Sequence, residues 1–203
     1  MDLVHPGADL IGRAAARVLW QLNETDRAHT GRGIQVEVDV PQRSVQRALD
    51  DLASIGLVHS TRIGSAKLHT LNKDHILWPA VLEILESGLR ARDLLARSIT
   101  RVSEGQAALA GYAEEGANTP LALLVIWRND PGDRDRRLEE FSNEVSVALG
   151  NPVEISSFTI EELASEIRDG NPNIDRWERD FESLTSGTPI SIHIASARKH
   201  LGL

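Results

Sequence analysis

PQRSVQRALDDLASIGLVHSTRIGSAKLHTL, residues 41–71, changes its hydrophobic period halfway along, and that change decides the fold. In the first half Val45, Ala48, Leu49, Leu52 and Ile55 recur at three- and four-residue steps, which gathers them on one side of a helix. The opposite side carries Gln42, Arg43, Gln46, Arg47 and Asp50. Pro41 stands at the helix start, where its fixed φ and missing N–H do no harm. Gly56 supplies the usual C-terminal stop. In the second half two short extended runs, Leu57–Arg62 and Ala66–Leu71, flank Gly64-Ser65, a pair suited to a tight hairpin.

An amphipathic helix with an Arg/Gln outer face, followed by a hairpin with a basic tip, is the sequence form of a winged helix-turn-helix. Helix phase, stop signal, turn residues and tip charge all agree. Arg suits guanine and Gln suits adenine in the major groove. The candidate contacts to double-stranded DNA are therefore Gln42, Arg43, Ser44, Gln46 and Arg47 on the helix, with Arg62, Ser65 and Lys67 on the wing.

Upstream, Ile11–Leu22 reads as a helix with Ala14, Val18 and Leu22 inward and Trp20 near a domain junction. Asn23–His29 is a polar loop. Thr30 can cap a short helix over Gly31–Val38, the first of the helix-turn-helix pair. Asp39 marks the sharp turn between the two, where a left-handed φ is needed and Asp tolerates it. His59 and His69 are expected to face each other across the wing, without the further ligands a metal site requires.

The composition is that of an ordinary folded domain pair: 203 residues, 41% hydrophobic and 26% charged. There is no cysteine, which removes disulfides, thiolate metal sites and cysteine nucleophiles. No apolar run reaches membrane-spanning length, and MDLVHPGADLIGR lacks a signal-peptide profile, so a cytoplasmic protein is expected. The net charge of −8 is unevenly placed. Residues 1–74 hold nine Lys/Arg and nine Asp/Glu, whereas residues 75–203 hold thirteen against twenty-one. A local basic patch can thus sit on a neutral half, while the acidic half repels phosphate; affinity for DNA should fall steeply with salt.

Downstream, His75 to Val102 is helical in pattern, with Ile76, Val81, Leu82, Leu85, Leu89, Leu94, Leu95 and Ile99 as an apolar seam and Gly88 as a possible break. Such a seam serves either a homodimer or packing within the chain. Leu121–Trp127 is an unbroken apolar run bounded by Pro120 and Asn129-Asp130-Pro131-Gly132, the pattern of a strand buried on both faces. A helix follows over Arg134–Leu149, with Leu138, Phe141, Val145 and Ala148 or Leu149 inward. Val153–Phe158 is a second strand, and Thr159 with Glu162 forms a capping box for Ile160–Arg168. Asn171–Leu184 reads as another helix, and Ser191–Leu203 as strand then helix. The expected class is α+β: a winged helix-turn-helix over 1–74, a connecting helical segment over 75–103, and a small α/β domain over 104–203.

The two halves together resemble a bacterial arrangement in which a winged helix-turn-helix is fused to a minimal nucleotidyltransferase domain of the DNA polymerase β superfamily. The stretches that carry the resemblance are Val45–Leu52, Gly56-Leu57-Val58, Leu71–His75, Pro79-Ala80-Val81, and the strand–helix–Gly-Asn-Pro-Val pattern from 122 to 153. The family's transferase site has a Gly-Ser turn for nucleotide phosphates and two aspartates, one residue apart, that hold Mg²⁺. Here the corresponding stretch is Gly111–Ala122. Tyr112 takes the serine position, Glu115 an arginine position beside Glu114, and Pro120 and Ala122 the aspartate positions. Neither Pro120 nor Ala122 offers an oxygen to a hard cation. Asp133-Arg134-Asp135 has the right gap but follows the strand, where acidic residues suit a helix start.

The resemblance therefore implies a transcriptional regulator, not an enzyme and without a cofactor, whose second domain is a degenerate nucleotidyltransferase-like fold. That domain would serve dimerisation, partner or ligand binding, the acidic surface being suited to a protein partner. The alternatives are an active transferase with displaced carboxylates and an antitoxin-like interaction module.

Overall fold

A short helix not expected from the sequence, α1 (Gly7–Ile11), precedes the first expected helix, which runs as α2 (Arg13–Thr25), and Gly12 at φ 84° separates the two. The first unit continues with β1 (His29–Thr30), α3 (Gly31–Val38), α4 (Gln42–Ser54), β2 (Val58–Ile63), β3 (Ala66–Leu71) and α5 (Trp78–Leu85). The computed structural model describes residues 7–105, 107–113, 120–184 and 189–200, and the chain divides into two units between Leu89 and Arg90. The division falls inside the segment 75–103.

The first unit's core joins Val18, Leu19 and Leu22 of α2, Ile34 and Val38 of α3, and Val45, Ala48, Leu49 and Leu52 of α4. Trp78 and Leu85 of α5 close it, with Ala14 packed at its margin. Ile55, expected inside, is 53% exposed. The helix ends at Ser54 with Ile55 as its C-cap residue, one position beyond the helix and three beyond Leu52, the last buried residue of the stripe. Trp20 is 38% exposed on this unit.

Two local devices bound α3, a cap at its start and a left-handed residue at its end. Thr30 Oγ1 accepts a hydrogen bond from the Gly33 N–H at 3.0 Å. Asp39 takes the left-handed conformation, φ 46° and ψ 52°. The strands then pair from Val58 opposite Leu71 to Ile63 opposite Ala66, leaving Gly64-Ser65 as a two-residue turn with Gly64 at φ 59°. The three-stranded order is β1-β3-β2. This is the connectivity of a winged helix-turn-helix. One expectation is corrected: His59 lies opposite Thr70, and His69 lies opposite Ser60. Adjacent rungs face opposite sides of a sheet, so the two histidines do not meet.

The segment after the wing is two helices. α5 stops at Glu86, and α6 (Ser87–Val102) begins ahead of Gly88. Val81, Leu82 and Leu85 pack on the first unit's core, while Ala91, Leu95 and Ile99 are buried in the second unit. Ile76 and Leu89 remain 88% and 61% exposed. Most of the seam is thus used within the chain's own units. Among the described residues no helix is long and apolar enough to cross a membrane.

The second unit holds β4 (Ala107–Ala113), β5 (Leu121–Trp127), α7 (Arg134–Leu149), β6 (Val153–Thr159), α8 (Ile160–Arg168), α9 (Ile174–Asp180), β7 (Glu182–Ser183) and α10 (Ile190–His200). Its sheet runs β6-β5-β4-β7. β5 and β6 are parallel, Leu121 beside Val153, with α7 as the crossover; β4 is antiparallel to β5. β5 is buried at every position but Ala122, which is half-buried, as its unbroken apolar run requires. Leu124 and Ile126 join a core with Leu163, Trp177, Ile190 and Ile194 from α8, α9 and α10. On α7, Leu138, Phe141, Val145 and Leu149 are buried, and Gly150 ends the helix at φ 74°.

The structure corrects three further readings. Gly111 and Tyr112, placed by the resemblance in a phosphate-holding turn, lie in β4; Glu114 and Glu115 lie outside the described residues. The helix expected over 171–184 ends at Asp180, because Phe181 turns extended and Glu182-Ser183 pairs with Tyr112 and Gly111. Ile190, Ile194 and Ala197 are buried at helical spacing, so the tail begins as helix rather than strand.

Candidate nucleic-acid interface

Helix α4 has its apolar stripe locked into the core, so its opposite face must point outward. Gln42, Arg43, Ser44 and Arg47 are exposed there, and Gln46 is partly buried. In the wing Arg62 lies opposite Lys67, both exposed, with exposed Ser65 in the turn beyond them. The helical candidates thus share the first turns of α4, and the wing candidates share one end of the hairpin.

Asp50 ties the two groups. Gln46 Nε2 donates to both carboxylate oxygens of Asp50, at 3.0 and 3.1 Å, and Lys67 Nζ donates to Oδ1 at 2.9 Å. These bonds, first from Gln46 and then from Lys67, hold the Asp50 carboxyl below its usual range. One stripe over, Arg47 Nε lies 3.8 Å from Asp51. The helix therefore presents its cations together with carboxylates that partly neutralise them.

Gly31 lets the start of α3 approach this face. A Cβ there would lie 3.4 Å from both Gln46 Oε1 and Leu49 Cδ1. Arg32 follows it and is exposed. Arg32 and the bridging role of Asp50 escape sequence reasoning. Asp50 reads only as an outer-face residue, and its partner Lys67 stands on another element. A helix with donors and acceptors on its outer face, beside a basic hairpin, is the kind of element that a major groove about 12 Å wide admits.

In the second unit the carboxylates have structural partners. Asp133 is the N-cap residue of α7, and its carboxylate accepts from Arg136 and Arg137, each at 2.6 Å, which lowers its pKa. Asp135 sits in the first turn, where the helix dipole favours it. Arg134 grips Glu162 with two bonds of 2.6 and 2.9 Å. Glu162 also accepts from the Thr159 N–H at 2.8 Å, completing the capping box. Among the described residues no three His, Asp or Glu side chains converge as metal ligands. His193 on α10 has its Nε2 buried with no hydrogen-bond partner among the described residues. Burial, then Arg128, pushes its pKa down.

No family model matches the chain, and no curated protein does. Solved structures are similar over part of it. One comes from work on the DNA recognition and protein interaction domains of HOP2 in homologous DNA pairing. It is 25% identical, with 29% of this chain and 98% of that chain covered, at a TM-score of 0.28. The Hop2–Mnd1 complex of Giardia lamblia is 18% identical, covering 66% of this chain and 77% of that one, at 0.29. A transcriptional regulator is 17% identical, covering 73% and 92%, at 0.31.

Proposed function

We propose that the chain is a sequence-specific regulator of transcription that binds double-stranded DNA through α4 and the wing. The observation that carries this reading is the shared outward presentation of Arg43, Gln46 and Arg47 beside the Arg62–Lys67 rung of the hairpin. Helix side chains would read base edges, and the wing would grip the backbone. Selection of bound fragments from genomic DNA with the purified protein tests the reading and reveals any repeat in the site. On the selected duplex Arg47→Ala should cost about 1–3 kcal/mol, with a smaller loss on random duplex. Equal losses on both would make Arg47 a phosphate contact.

The second unit, in the same proposal, is a nucleotidyltransferase-like domain without catalysis that serves dimerisation, or a protein or ligand partner. Its support is the chemistry of the key positions. Pro120 and Ala122 lack a side-chain oxygen, and Gly111-Tyr112 is strand rather than turn. Phosphoryl transfer relies on positioning and metal-borne charge, which these residues do not supply. Labelled nucleoside triphosphates with Mg²⁺ or Mn²⁺ and mixed acceptors should give no turnover. Turnover abolished by changing Asp133 and Asp135 would overturn this part. A homodimer on half-sites about 34 Å apart belongs to the same reading, and light scattering of the DNA complex tests it.

A further inference from the structure

We infer that Asp50 sets the specificity of this interface by withholding Lys67 and Gln46 from any duplex that offers nothing in exchange. The inference rests on the DNA-binding reading above. The carboxylate stands on the outer face of α4, between the base-reading side chains and the wing, and takes hydrogen bonds from Gln46 and Lys67. For Lys67 to reach a phosphate it must give up this anion, so on arbitrary DNA it swaps one negative partner for another. The counterion-release gain of that contact is largely offset. The Asp50 carboxylate left behind then faces a polyanion. A cytosine amino group at that point in the major groove can occupy the carboxylate, since N4–H₂ is a donor that suits Asp. Discrimination of this kind works by penalising the wrong partner as much as by rewarding the right one.

A purely structural role, with Asp50 only pinning the wing to the helix, makes different predictions. Salt titrations with a short duplex of randomised sequence should compare wild type, Asp50→Asn, Lys67→Ala and the double variant. Equal thermal melting of all four would show that they fold alike. Asp50→Asn should bind the random duplex severalfold more tightly at low salt, with a salt slope steeper by about 0.9. The double variant should lose that gain, because the freed cation is then absent. Selection from a randomised pool should then show a cytosine preference for wild type that Asp50→Asn lacks. An unchanged slope in Asp50→Asn, a gain that persists without Lys67, or a retained cytosine preference overturns the inference while leaving DNA binding in place. Failure of all four proteins to bind any duplex overturns both.

Discussion

His29 and His69 stand directly opposite each other on β1 and β3, and Ser60 continues the same rung on β2. His69 is 1% exposed, its Nδ1 2.9 Å from Ser60 Oγ, and His29 Nε2 lies 2.6 Å from Thr25 Oγ1. Burial lowers both imidazole pKa values below the ordinary 6.5. Arg27 adds to the effect at His29 and Lys67 at His69, against smaller opposition from Glu37 and Asp50. The folded state therefore favours the neutral rings. Their stabilisation is complete above pH 6.5 and is lost as pH falls through that value towards the lowered folded pKa values. The urea midpoint of the first unit should drop between about pH 7.5 and about pH 5. His69→Gln should flatten part of that drop, and an identical pH curve would remove His69 as its source.

Asp39 carries the turn between α3 and α4 at φ 46°. Asp39→Gly should be close to neutral or mildly stabilising, because glycine adopts this conformation freely. Asp39→Val should destabilise by about 1–2 kcal/mol, the usual cost of left-handed backbone for a side chain with Cβ. Denaturant titration of the three proteins gives the ranking, and a Val variant as stable as wild type would contradict it.

Arg62 extends from the exposed edge of the wing, opposite Lys67 in the ladder. Arg62→Ala should weaken binding about equally on all duplexes and make the salt slope shallower by about one unit. A loss confined to one sequence would instead assign Arg62 to a base.

Thr159 and Glu162 exchange side-chain and backbone bonds at the start of α8. Thr159→Ala should cost about 1 kcal/mol of the second unit's stability and leave DNA affinity unchanged. Phe141, fully buried on α7, should cost about 3–5 kcal/mol as alanine. Calorimetry separates the two effects by size.

What the sequence makes legible is what local chemistry decides. The apolar stripe of α4, the Gly64-Ser65 turn, the Thr30 and Thr159 caps and the buried run of β5 each carry their own signal within a few residues. The misplaced parts depend on partners far along the chain. β7 exists because Glu182-Ser183 meets β4, about seventy positions earlier in the chain. On the candidate interface the outer face of α4 is readable from its period. The bond from Asp50 to Lys67 is not, since it joins helix to hairpin across seventeen positions.

The parallel partners Leu121 and Val153 can meet only once the whole of α7 lies between them. The wing, by contrast, closes over two residues, an event on the order of 1–10 μs. Pairing of distant parallel strands carries a larger loop-closure entropy and is slow. The chain therefore runs on two clocks, and the face of α4 with its wing is assembled while β5 still waits for its neighbour. During that interval the edge of Leu121–Trp127 that will receive β6 is an unpaired, uncharged β-prone edge, and refolding yield should fall as protein concentration rises.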